Sequence, residues 1–111
     1  RQELRYGESR IGACLDIGHA NIWEKPPENV IKNLSHRIIA THISDNDGTA
    51  DTHLIPKKGN MDWSKIFQAF FDIKYQENFT YEIAPFSEDI NEIKSQLSQL
   101  TNLSDEFGLG Y

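Results

Sequence analysis

The 111 residues carry one cysteine, 17 acidic against 11 basic side chains, and a formal net charge of −6. A single thiol excludes an internal disulfide and suits a reducing compartment, so a cytoplasmic setting is expected. A chain this acidic repels a phosphate backbone, and no apolar run approaches the ~20 residues of a membrane span, which argues against nucleic acid and membrane as partners.

In chain order, residues 1–10 are polar, with Gly7 near the end, and suit the tail of a helix. No charged-then-apolar leader stands there, and a soluble protein is expected. Residues 11–16 (I-G-A-C-L-D) form a short apolar run and predict a strand, after which Gly18-His19 is expected to turn the chain. Residues 23–27 read as a loop; Pro26-Pro27 suit a helix start, where a missing N–H costs little. Val30, Ile31 and Leu34 then give an apolar face through about Ser35. Residues 38–43 predict a second strand, and a long loop follows it. Asp62 is a good N-cap for a helix to about Ile73, with Trp63, Ile66, Phe67, Phe70 and Ile73 on one stripe. Residues 75–78 connect to a third strand at residues 79–83 (F-T-Y-E-I), rich in β-formers. Ser87 is expected to cap a last helix, with Glu88 and Asp89 in its first turn and Ile90, Ile93, Leu97 and Leu100 on its buried face. Residues 102–111 read as a tail.

Strand and helix thus alternate three times, and helical crossovers imply a parallel sheet. Each strand carries an ionisable group at or near its C-terminal end: Asp16, His42 and Glu82. Open α/β sheets and (β/α) barrels place their chemistry there. Period-two alternation puts Gly12, Cys14 and Asp16 on one face, with Ile38, Ala40 and His42, and with Thr80 and Glu82. The other face takes Ile11, Ala13, Leu15, Ile39, Ile43, Phe79, Tyr81 and Ile83. Small side chains inside and bulky ones outside fit a barrel wall better than a flat sheet. Three units do not close a barrel, which typically needs about 250 residues, and an open sheet exposes two edges. The chain is therefore expected to be the C-terminal part of something larger, or to cover its edges by self-association.

The chemistry is concentrated in D-x-x-H (Asp16, His19), in His42, in D-x-H (Asp51, His53) and in Glu82. Mixed imidazole and carboxylate suit zinc, manganese, iron or cobalt. No thiolate cluster is present for a structural zinc knuckle. Each residue also has a plainer reading. Asp16 could cap the turn after its strand, and a lone His19 or His42 is more often structural than a ligand. Asp45 and Asp51 stand near Asn46, Asp47 and Gly48, where turn chemistry explains much. His36 is taken as structural or solvent-facing. Glu82 is harder to dismiss, because a carboxylate among β-branched and aromatic neighbours is costly to bury unpaired. Six such residues converging on one end of three strands weigh more than any one of them.

The segments C-L-D-I-G-H-A, T-H-I-S-D-N-D-G, D-T-H-L-I-P-K-K-G-N-M-D-W and Y-E-I-A, in this order, resemble the xylose isomerase-like TIM-barrel superfamily. Sugar phosphate isomerases and epimerases would be the nearest relatives, with zinc apurinic-site endonucleases of the endonuclease IV type as cousins. The resemblance covers most of residues 11–85. It implies an α/β fold comprising the C-terminal three βα units of a (β/α)8 TIM barrel, with the earlier strands absent from this chain. In the epimerase branch it implies a divalent metal ion, manganese or zinc first and cobalt or magnesium next, held by Asp16, His42 and Glu82 and by a Glu from an earlier strand. His19 would contact the sugar. In the endonuclease branch Asp16, His19, His42, Asp51, His53 and Glu82 all match zinc ligands, so the ligand pattern alone does not separate the two. Lys57 departs from the family, whose loop usually reads P-G-x-G there.

The leading expectation is a metal-dependent isomerase or epimerase acting on a sugar or sugar phosphate through a metal-stabilised enediolate. Glu82 would move a proton at the carbon beside the carbonyl. Trp23 is expected to wall the sugar pocket, with packing on the helix layer as the equal alternative. A zinc phosphodiesterase at abasic DNA is second; Lys57 and Lys58 could touch phosphates, but the acidic balance counts against it. A non-catalytic partial barrel is third.

Overall fold

The computed structural model describes residues 12–84 and 89–106, with the side chains of residues 103–105 left aside. Ile11, Ser87, Glu88 and residues 1–10 lie outside the described residues, as does the chain beyond 106. The elements run β1 (Ala13–Asp16), α1 (Ile17–Trp23), α2 (Pro27–Leu34), a 3-10 turn (Ser35–Arg37), β2 (Ile38–Ile43), α3 (Trp63–Asp72), β3 (Thr80–Tyr81) and α4 (Ile90–Glu106). The three strands form one parallel sheet in the order β1-β2-β3. No helix among the described residues is long and apolar enough to cross a membrane.

Helices α1 to α3 cover one face of this sheet. Leu15, Ile38 and Ile43 from the strands meet Ile17 and Ala20 of α1, Val30 and Ile31 of α2, and Trp63, Ile66, Phe67 and Phe70 of α3 in one core. The apolar spacing expected for α3 is therefore its packing face, and Asp62 caps it, its carboxylate accepting the Lys65 N–H at 3.2 Å. Phe79 closes the far end of the core edge-on to Phe67 and Phe70, with ring centroids 5.5 and 5.0 Å away.

Four expectations need correction. The turn at Gly18-His19 is a helix: the Asp16 carboxylate caps it by accepting the His19 N–H at 2.9 Å, and Ile17 and Ala20 anchor it in the core. Gly18 is small for packing, since a Cβ there would lie 2.9 Å from Ser44 Oγ. The alternation in β2 is broken at its start. Ala13 pairs with Ile38 but Cys14 with Ala40, an irregularity that turns Ile38 into the core and leaves Ile39 41% exposed. Gly12 lies against that exposed Ile39, where a Cβ would meet its side chain at 2.6 Å.

The third strand is only Thr80–Tyr81 because its continuation changes partner. The Glu82 N–H still donates to the Ile43 carbonyl, but the Ala84 N–H donates to His53, on the loop after β2. Finally, α4 runs through Glu106, into the stretch read as a tail, and its expected buried face is only partly buried, with Ile93 and Leu100 half-buried. Ile90 and Leu97 are 62% and 59% exposed, whereas Gln96 is buried and donates its amide to the Ala84 carbonyl at 3.1 Å.

The core assignment predicts a sharp contrast within α3. Ile66→Ala, at a site with no exposure, should lower the free energy of unfolding by about 2–5 kcal/mol. Phe71→Ala, at a position 78% exposed, should change it by less than about 0.5 kcal/mol. Urea titration of both variants checks the pair.

Candidate functional site

Parallel pairing sets the first half of the site. Asp16 stands opposite His42, and His42 opposite Thr80, so the C-terminal ends of β1 and β2 are neighbours and Glu82 follows two positions past Thr80. Strand alternation then returns Glu82 to the face of His42. One ligand atom from each of Asp16, His42 and Glu82 lies within 4.8 Å of the others. His42 Nδ1 is 3.0 Å from Glu82 Oε1, while its Nε2 faces Cys14 Sγ at 3.8 Å. Asp16 and His42 are half-buried and Glu82 is exposed, so the group opens to solvent on one side.

The second half comes from α1 and from the loop between β2 and α3. His19, one turn into α1, places Nε2 3.0 Å from Asp51 Oδ2 and 3.7 Å from Asp16 Oδ2. His53 Nε2 reaches the same Asp51 oxygen at 3.2 Å. His53 Nδ1 donates to the Glu82 carbonyl at 2.8 Å, and its own carbonyl receives the Ala84 N–H at 2.9 Å. With the proton on Nδ1, Nε2 would turn a lone pair to a carboxylate oxygen, so a second proton or a cation must stand between them. Accordingly the His53 pKa is raised, chiefly because the Glu82 carbonyl accepts from the ring and with the Asp51 charge adding to it; partial burial works the other way. Asp16 touches both halves. All six residues singled out from the sequence therefore meet at one end of the sheet. Trp23 lies beside them, 68% exposed, its ring edge-on to His19 with centroids 5.1 Å apart.

The donor set fits a divalent cation. Two carboxylates and an imidazole on three adjacent strand ends offer the mixed oxygen and nitrogen ligands that manganese, zinc and cobalt take. The open side leaves room for a further ligand, as catalytic metal sites require.

The sequence did not reveal the frame. Asp45, weighed there as turn chemistry, is wholly buried and accepts from the N–H groups of Asn46 (2.8 Å), Lys57 (2.9 Å) and Gly59 (3.1 Å) and from Trp63 Nε1 (2.8 Å). Around it, Asn21 on α1 donates to both Asn46 Oδ1 (2.7 Å) and Asn60 Oδ1 (2.8 Å), and Asn46 donates to the Gly18 carbonyl (3.0 Å). These amides tie the helix carrying His19 to the loop carrying Asp51 and His53. Lys57, where the resemblance leads to an expected glycine, sits at φ +82°, in the left-handed region that favours glycine. Its ammonium pairs with the Glu106 carboxylate.

Three parallel strands that bring such ligands together at their C-terminal ends, with helices over one face, define part of a (β/α) barrel with its site at the usual end. The chain belongs to the xylose isomerase-like TIM barrel family, whose model matches residues 4–103. It is 37% identical over 78 residues to an uncharacterised protein of Sinorhizobium fredii, covering 70% of this chain and 25% of that one. It is 33% identical over 70 residues to the D-psicose 3-epimerase of Enterocloster bolteae, covering 63% of this chain and 22% of that one. Its fold matches the crystal structure of a D-tagatose 3-epimerase-like protein with a TM-score of 0.69 and 25% identity, over 87% of this chain and 36% of that one. The chain thus spans about a quarter of the length of these curated relatives. Its three-stranded open sheet is a partial TIM barrel of the xylose isomerase-like fold.

The loop frame leaves no room at Gly59, where a Cβ would lie 2.2 Å from the Asn46 carbonyl oxygen and 2.4 Å from Asp45 Oδ1. Gly59→Ala should therefore cost about 3 kcal/mol of stability or more, because backbone and a buried carboxylate have to move. Thermal unfolding measures it, and a loss below about 1 kcal/mol would mean that the loop adapts freely.

Proposed function

We propose that this chain forms the C-terminal three βα units of a longer (β/α)8 barrel that isomerises or epimerises a sugar or sugar phosphate by moving a proton beside its carbonyl. The observation that carries the proposal is the meeting of Asp16, His42 and Glu82 within one cation's reach at adjacent strand ends. The 3-epimerase names of its relatives support the reaction class.

In this reading Asp16, His42 and Glu82 hold one divalent ion, manganese or zinc first, with cobalt or magnesium as alternatives. The remaining ligand comes from a strand outside this chain. The bound ion supplies Lewis-acid polarisation of the sugar's carbonyl oxygen. Glu82 takes or returns the proton at the neighbouring carbon, its exposed side giving it access to substrate. His19 faces the sugar from α1, and the Trp23 ring beside it forms an apolar wall for the sugar's carbon face. The other strands of the barrel, rather than a second copy, cover the edges of the sheet. The single thiol suits a cytoplasmic location.

The His19–Asp51–His53 group favours one second reading. Those side chains, with Asp16 shared, could hold additional zinc ions for phosphodiester cleavage at abasic sites. The acidic balance of the chain weighs against a DNA partner.

The test is solvent-deuterium incorporation at the carbon next to a ketose carbonyl, run beside nicking of an abasic duplex. The proposal predicts exchange without nicking. Glu82→Gln should reduce exchange by about 10²–10⁴-fold, the usual contribution of a general base, while the protein stays folded. Undiminished exchange in that variant would remove Glu82 from the mechanism, and nicking by the native protein would select the second reading.

A further inference from the structure

We infer that Asp45, which touches neither substrate nor cation, is the positioning residue that sets where Asp51, His53 and the Glu82–Ala84 segment lie. The role in catalysis rests on the function proposed above; the mechanical role rests on geometry alone.

The backbone of Asp45 makes an antiparallel bridge with Leu54, donating to its carbonyl at 2.7 Å and accepting its N–H at 2.9 Å. His53 is the residue before Leu54, so this bridge fixes the point from which the imidazole projects. The side chain fixes the other end of the same loop. Its Oδ2 gathers the N–H groups of Lys57 and Gly59 and the indole N–H of Trp63, the first residue of α3. A buried carboxylate with several donors aimed at it holds their relative positions, since releasing any one leaves a desolvated polar group behind. Four donors converge here on a carboxylate with no exposure.

The chain of contacts continues from His53. Its backbone is held at φ +53°, a conformation that a free histidine seldom adopts. In that pose the ring donates to the Glu82 carbonyl, and the His53 carbonyl receives the Ala84 N–H. The segment bearing Glu82 is therefore fastened to the loop just where it stops pairing as β3. Displacing the loop would move Asp51 and His53 and pull on the chain at Ala84, whereas the β1–β2 ladder holds Asp16 and His42, and Glu82 keeps its N–H bond to Ile43.

Asp45→Asn exposes this coupling. It replaces one acceptor oxygen by an NH2 group that faces other donors. Amide hydrogen exchange, followed residue by residue in the complete protein, should be at least about 10-fold faster at Leu54 and Ala84. Amides along the β1–β2 ladder should stay within about 2-fold of native, because local openings are separable from global ones. Unchanged exchange at Ala84, or equal acceleration at Ala84 and along the ladder, would overturn the inference; the second result is what general loosening gives. If Asp45→Asn fails to fold, Trp63→Phe decides. It keeps an aromatic ring in the core, removes one donor, and should speed Ala84 by about 3-fold with the ladder unchanged. Manganese titration separates the two proposals. If the native protein binds no manganese, the cation reading fails, while the exchange pattern still decides the role of Asp45.

Discussion

The site depends on the register of a parallel sheet. Parallel strands joined by helical crossovers all point the same way, so their C-terminal ends lie side by side although the residues are far apart in sequence. Here the pairing is Asp16 with His42 and His42 with Thr80, and it carries three ionisable side chains to one edge. A one-residue slip of any strand would turn its ligand to the helix side, where a carboxylate or imidazole would be buried without a partner. The packing of Leu15, Ile38 and Ile43 against the helices guards against that slip, because it would expose them. Core and site are thus two faces of one constraint.

The loop after β2 adds a second constraint of a different kind. It has little regular structure, and backbone groups in such a segment need partners. The Asp45 carboxylate and the side-chain amides of Asn46 and Asn60 supply them, and Asn21 joins those two amides to α1. The outcome is a rigid platform from which Asp51 and His53 meet His19 on the neighbouring helix. One half of the site is held by strand pairing and the other by a buried polar network, with Asp16 joining them.

Much of this was legible in the sequence, for physical reasons that differ by element. The second strand and the Asp62-capped helix declare themselves through local signals, an apolar run and a cap before a stripe. Asp16, His42 and Glu82 could be named as candidates because strand ends are where such folds place their chemistry, and His19, Asp51 and His53 because of their spacing in D-x-x-H and D-x-H. What stayed hidden depends on tertiary contacts. Gly18 reads as a turn residue until Ser44 is seen against it. The burial of Gln96 in α4 goes with its amide bond to the Ala84 carbonyl, a contact that no periodicity contains. The swap of Ile38 and Ile39 follows from an irregularity in pairing that no single strand's pattern contains. Asp45 was visible as a residue but not as a hub, since its partners lie one, twelve, fourteen and eighteen positions away without a period.

The proposed cation would lie between Asp16, His42 and Glu82. Diffraction from crystals of the complete protein grown with manganese, measured at an energy where manganese scatters anomalously, addresses it directly. One anomalous peak is expected, bonded to a carboxylate oxygen of Asp16, a ring nitrogen of His42 and a carboxylate oxygen of Glu82. A peak elsewhere, or a well-ordered site in which these three side chains diverge and share no ion, would contradict it.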